Sequence, residues 1–269
     1  MSDVLVGTPL LGQAPQTGAR YAFDLCTHLV SREFRTRYRR SALGWFWSVA
    51  QPLFRFLVLG IVFGKLLKSG VPDFGSFLFS GLLFWQWFAS GVASATRSVL
   101  DRSDLLLRPG LPRWTIPLTS VLTDAIDMVA ALPVLVVVVL ADGRTISWWV
   151  LFMPVLLVVE LLLILGFGML FCAANVYFRD IGFLVGVMLL MGFYVTPVFY
   201  EIMSIPQRWR WLIDWNPMSP ILRNCRDIVL YNRGPDWESL AKVSLFTMCI
   251  FVFGVLVYQR ASGKFVDEL

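Results

Sequence analysis

The chain has 269 residues, 57% hydrophobic and 15% charged, with a mean hydropathy of +0.70 and a formal net charge of +5. A soluble domain carries roughly 45–50% apolar and about 25% charged residues, so too little polar sequence remains to coat a water-soluble core. An all-α polytopic membrane protein is expected, and the short basic clusters between its apolar runs suit anionic headgroups and span orientation rather than nucleic acid.

Residues 1–21 read as a flexible tail without the apolar core of a signal peptide, which predicts an N-terminus retained in the cytoplasm. Over 22–40, Phe23, Cys26, Val30 and Phe34 recur at helical spacing opposite Arg32, Arg35 and Arg39. That pattern predicts an amphipathic helix in the membrane interface, with a plain cytosolic helix as the other reading.

Residues 41–269 then hold six apolar runs, each near the ~20 residues needed to cross a ~30 Å hydrocarbon core. They cover 43–67, 77–98, 115–140, 148–176, 181–200 and 240–258, and Pro117 and Pro133 leave the ends of the third open. Trp45, Trp47, Trp85, Trp87, Trp148, Trp149 and Tyr258 stand near the predicted interfaces, as belt aromatics do.

Between runs five and six, Ile202, Ile205, Trp209, Trp211, Leu212 and Trp215 are too apolar for an open loop. Pro206, Pro217 and Pro220 interrupt any span, so two short re-entrant helices on the outer side are expected, packed against protein. Arginine concentrates at 32–40, 97–113, 179 and 260, whereas the short opposite loops hold Lys65, Lys68 and Arg144. This asymmetry predicts a multi-pass protein of the cytoplasmic (inner) membrane with both termini in the cytoplasm.

No catalytic constellation stands out. The chain has no G-x-x-x-x-G-K-[ST] phosphate loop, no H-E-x-x-H and one histidine, His28. No metal site and no cofactor of its own are expected, and ATP-driven work would need a separate chain to bind ATP and Mg. The four cysteines form no CxxC pair, and Cys172 and Cys249, inside apolar runs, read as small buried hydrophobes. Four ionisable residues fall inside spans: Arg55, Asp124, Asp127 and Glu160. Each costs ~2.5–3.5 kcal/mol near a helix centre on insertion scales, so they should face protein or water. Asp124 and Asp127, at i and i+3, share a helix face. Two readings stand: a polar lining of a pathway or a proton relay, or structural pairing such as Arg55 with Glu160.

Several strings resemble one family. Arg37-Tyr38-Arg39-Arg40-Ser41-Ala42-Leu43-Gly44 with Trp47 and Gln51-Pro52 resembles the start of the ABC-2 type permeases that export polysaccharides. Leu111-Pro112-Arg113 with Pro117-Leu118, Asn175-Val176-Tyr177-Phe178-Arg179-Asp180, Thr196-Pro197-Val198-Phe199-Tyr200 and Trp215-Asn216-Pro217 are similar to later strings of that family, in the same order. The resemblance covers about 22–269 as one transmembrane domain. It implies six spans, an interfacial N-terminal helix, and a homodimer served by two cytosolic nucleotide-binding ATPase subunits. It also implies a polyprenyl-pyrophosphate-linked glycan (O-antigen, wall galactan, capsule or teichoic acid) as cargo; the alternative is a smaller lipid or drug. By the same resemblance, Tyr38, Arg39 and Arg40 would meet the lipid pyrophosphate, and Asp104, Leu107, Arg108 and Arg113 would couple to ATP hydrolysis. Trp209, Trp211, Asn216 and Pro217 would form the outer gate. Arg108-Pro109-Gly110 departs from the basic and bulky residues usual there.

Overall fold

A computed structural model of the chain describes residues 19–38, 44, 46–66, 70–106 and 111–265, and these form helices and turns with no strand among them. In chain order they are α1 (Ala19–Tyr38), α2 (Phe46–Leu59) continued by a π-helical segment Gly60–Leu66, α3 (Phe74–Asp101) and α4 (Ser103–Leu106). There follow α5 (Thr115–Ala141), a 3₁₀ turn Trp148–Phe152 leading into α6 (Met153–Tyr177), α7 (Asp180–Val195), α8 (Arg210–Asp214), α9 (Met218–Val229) and α10 (Trp237–Ser262). The chain is a multi-pass membrane protein. Among the described residues, five helical stretches, Phe46–Leu66, Phe74–Asp101, Thr115–Ala141, Trp148–Tyr177 and Trp237–Ser262, are long and apolar enough to cross a bilayer.

The third span runs through both prolines. Pro117 sits in the first turn of α5, where its missing N–H breaks no helical bond, and Pro133 lies in the interior without ending the helix. The helix formed from the fifth apolar run is shorter than the run and falls outside those five. The run predicted a span over 181–200, but α7 has 16 residues, roughly 24 Å of helix against a ~30 Å core. Pro197 forces Thr196 to extended geometry (ψ 137°). The Tyr200 hydroxyl then folds back and donates to the Val195 carbonyl at 2.7 Å and the Tyr194 carbonyl at 3.1 Å, satisfying the helix end.

α3 is the most enclosed span, with Leu78, Phe79, Phe84, Ala95 and Val99 fully buried. The spans approach one another through small residues, as helices in lipid do. A Cβ added at Gly254 of α10 would stand 2.2 Å from the Gly166 carbonyl oxygen of α6, and one added at Gly168 would stand 2.5 Å from Cβ of Ala95. The two-residue turn between α6 and α7 is held by buried Asn175. Its Nδ2 donates to the Thr96 carbonyl at 3.1 Å and its Oδ1 accepts from the Gly182 N–H at 2.8 Å.

Contacts at the two ends give the alternation of spans. At the end bearing α1, Arg102 pairs with Glu33, and the Tyr258 hydroxyl donates to the Arg113 carbonyl at 2.9 Å. At the far end Arg144 pairs with Asp73, and Asp142 accepts from the Ser76 N–H at 2.7 Å. One expectation fails locally: Cys172 is buried, but Cys249 lies on the outward face of α10 and is exposed, one of the positions a lipid-facing stripe leaves uncovered.

Candidate functional site

Two groups of polar residues stand out, one at each end of the bundle. The first fastens α1 to the spans. α1 packs on α5 with Cys26 buried, Val30 and Phe34 half-buried and Arg32 and Arg35 exposed, so its apolar stripe faces protein. Three residues beyond Phe34, one guanidinium nitrogen of Arg37 donates to Asp124 Oδ1 at 2.7 Å and to Asp127 Oδ2 at 3.0 Å. The i, i+3 spacing of the two carboxylates puts them on one face of α5, and that face meets α1. Asp124, 5% exposed, also accepts from the Ser94 hydroxyl of α3 at 2.5 Å.

A second clamp lies alongside. Arg102, just past α3, pairs with Glu33 and donates to Ser120 Oγ at 2.8 Å and Thr119 Oγ1 at 3.3 Å. Burial works to lower the Arg37 pKa, but Asp124, by charge and by hydrogen bond, together with Asp127 and Glu33, holds it above its ordinary value. Burial pushes the Glu33 carboxyl up, and the Arg102 charge offsets this only in part. The clamp therefore keeps α1, which leads directly into Arg39 and Arg40, at a fixed height on spans two and three.

Of the residues assigned to a pyrophosphate, Tyr38 ends α1, and Arg39 and Arg40 lie outside the described residues. Of those assigned to ATPase coupling, Leu107 and Arg108 also lie outside them. Asp104, on α4, lines a cavity of about 210 Å³ with Arg32, Glu33, Thr36 and Arg102. Arg113 turns away from that cavity and donates to the Ser262 carbonyl, tying the start of α5 to the end of α10.

The four ionisable residues inside spans do not form one site. Asp124 and Asp127 belong to the Arg37 clamp. Arg55 and Glu160, offered as a pair, are not one: Arg55 donates to Gln86 Oε1 of α3, while Glu160 is fully buried with both oxygens unpartnered among the described residues. Arg55 opens onto a groove of about 610 Å³ between α2, α3 and α7, with Phe54, Trp85, Phe193 and Tyr194 on its walls. A cation among ring faces suits an anionic, ring-bearing molecule.

At the far end, Asn216 joins two elements. Its Nδ2 donates to Thr196 Oγ1 at 2.7 Å, and its Oδ1 accepts from the Met218 N–H at 3.0 Å, satisfying the start of α9, with Pro217 at the cap. Trp209 and Trp211 are about half exposed and face outward. α9 itself is buried among α3, α6 and α10. Its Arg226 donates to the Val198 carbonyl at 2.9 Å and the Phe77 carbonyl at 3.3 Å, with the guanidinium 3.5 Å from the Phe77 ring centroid. Sequence reasoning did not single out Arg226, and it placed Arg37 only within a basic cluster and a family-like string. The acidic i, i+3 pair was the visible half of the first clamp, and no local signal marked Arg226.

The chain matches the family model described as ABC-2 type transporter over residues 24–230. It is 28% identical over 250 residues to the O-antigen export system permease protein RfbA of Klebsiella pneumoniae, covering 93% of this chain and 96% of that one. It is 29% identical over 247 residues to the protein of the same name from Myxococcus xanthus, with 91% and 95% covered. It is 26% identical over 238 residues to the polysialic acid transport protein KpsM of Escherichia coli, with 86% and 91% covered.

Proposed function

The chain belongs to the ABC-2 type transporter family, and from that premise we propose that it is the transmembrane subunit of an ATP-driven exporter. Its cargo, on this reading, is a polyprenyl-pyrophosphate-linked polysaccharide carried across the cytoplasmic membrane. The observation that carries the proposal is end-to-end similarity to permeases named for two different glycans, O-antigen and polysialic acid.

The parts then take roles. Both termini and the α1 clamp lie on the cytoplasmic side. Two copies of the chain assemble with two ATPase subunits, which dock against the segment from Asp104 to Arg113. Tyr38, Arg39 and Arg40 receive the lipid pyrophosphate, because guanidinium forks can bind its oxygens bidentately. The groove holding Arg55 and its aromatic neighbours lies along the glycan path, and the segment bearing Trp209, Trp211, Asn216 and Pro217 closes the outer end.

Co-reconstitution in inverted vesicles tests this. The chain alone is expected to hydrolyse no ATP, since it lacks a phosphate-binding loop. With the ATPase subunit, ATP should drive lipid-linked glycan into the lumen. Arg39→Lys with Arg40→Lys, which keeps charge but not the fork, should insert normally and transport about tenfold more slowly, roughly the loss of one charge-assisted hydrogen bond. Hydrolysis by the pure chain would contradict the subunit assignment, and a wild-type rate in the double lysine variant would remove the docking role.

A further inference from the structure

Glu160 lies on a fully enclosed face of α6, and the packing register shows what surrounds it. α3 and α6 start at the same end of the bundle and meet in steps of four: Gly91 against Ile164, then Ala95 against Gly168. One step back along both helices brings Trp87 to the level of Glu160. α6 and α10 also run in parallel, meeting at Gly166 against Ile250 and Gly254, which places Thr247 within about one turn of the same level. Trp87 Nε1, both Glu160 oxygens and Thr247 Oγ1 are all buried and unpartnered among the described residues. Three spans thus each turn an unsatisfied polar atom toward one level of an apolar bundle, a costly arrangement with no structural gain in this state.

The fourth neighbour is α9. Its Cys225, fully buried, lies within electrostatic reach of the Glu160 carboxyl. The next residue, Arg226, is also buried and makes no ion pair with Glu160. Its guanidinium rests on two carbonyl oxygens and a ring face, with Nε unpartnered. Successive residues of a helix are separated by about 100°, so a turn of α9 by one position would exchange Cys225 for Arg226 at the carboxylate.

We propose that Glu160, with Trp87 and Thr247 beside it, is a second seat for the Arg226 guanidinium, so that α9 has two packed positions. In the one observed, Arg226 ties α9 to the Phe77 and Val198 carbonyls, the outer end of α3 and the turn after α7. In the other, Arg226 pairs with Glu160, and that tie is released. Two discrete packings of one short helix are the kind of element through which distant events are transmitted. The inference rests on the exporter reading only for what drives the turn, namely ATP hydrolysis by the partner.

The test uses the full permease–ATPase complex with Cys26, Cys172 and Cys249 replaced by alanine, so that native Cys225 is the one thiol left in this chain. A membrane-permeant maleimide should label Cys225 slowly at rest and at least tenfold faster during ATP turnover. In Glu160→Gln, resting protection should persist and the acceleration should vanish, because the amide keeps the shape but cannot neutralise Arg226. Acceleration persisting in Glu160→Gln, or Cys225 protected in every state of the parent, would overturn the proposal. If Glu160→Gln labels rapidly at rest, its core is broken. Glu160→Asp, which keeps the charge, then decides: acceleration over a protected resting state supports the second seat, and any other pattern counts against it. Labelling follows turnover and not cargo, so a parent that accelerates but moves no glycan counts against the export reading alone.

Discussion

Replacing Arg37 with alanine is expected to loosen α1 from the spans and to lower stability by about 2 kcal/mol. The substitution strands two carboxylates, of which Asp124 is 5% exposed. Breaking a buried pair costs ~3–5 kcal/mol and an exposed one at most about 1. With the Arg37 side chain 32% exposed, an intermediate loss follows. Thermal unfolding in detergent and limited proteolysis of α1 would read it, with cleavage appearing within 19–38. Arg37→Lys keeps the charge and should lose less. Asp124→Asn with Asp127→Asn on the alanine background should recover much of the loss by removing the stranded charges. An unfolding profile for Arg37→Ala indistinguishable from wild type would show that α1 is held by its apolar stripe alone.

Valine at Gly254 should prevent stable accumulation of the protein altogether. The added Cβ would stand 2.2 Å from the Gly166 carbonyl oxygen and 3.0 Å from its carbon, and the opposing atoms belong to helix backbone that cannot swing aside. Overpacking a core costs ~1–3 kcal/mol when side chains can yield. Here α6 and α10 must separate along their length, so a loss above about 3 kcal/mol is expected. Gly263→Ala is the control, since no atom beyond its own local backbone lies within 4 Å of a Cβ built there. Membrane yield and size-exclusion profile distinguish the two. A well-folded Gly254→Val protein would mean that the α6–α10 crossing is looser than described.

Hydropathy located the spans because lipid imposes one requirement, about 20 apolar residues, that any bundle must meet. It failed at the fifth because apolarity continues through 196–200, whereas helix geometry stops at Pro197. A run of hydrophobes cannot show that Tyr200 folds back over the helix end. The face shared by Asp124 and Asp127 was readable from their spacing, but their partner was not. Arg37 reaches them from 87 and 90 residues away because α1 docks on α5, a tertiary fact with no local trace. Pairing Arg55 with Glu160 was chemically sensible, but Arg55 opens onto a groove and donates to Gln86 of α3, whereas Glu160 is fully buried. Arg226 was hidden because nothing in its local sequence tells which arginine of the 201–239 segment is buried.

Depletion of the chain shows whether it moves a lipid-linked glycan outward. Cells losing the chain should accumulate polyprenyl-pyrophosphate-linked glycan on the cytoplasmic face, protected from added glycosidase until the membrane is opened, while the surface glycan falls. The pool should drain when the chain is restored together with its ATPase subunit. Undiminished surface glycan with no cytoplasmic pool after full depletion would contradict an export role for this chain.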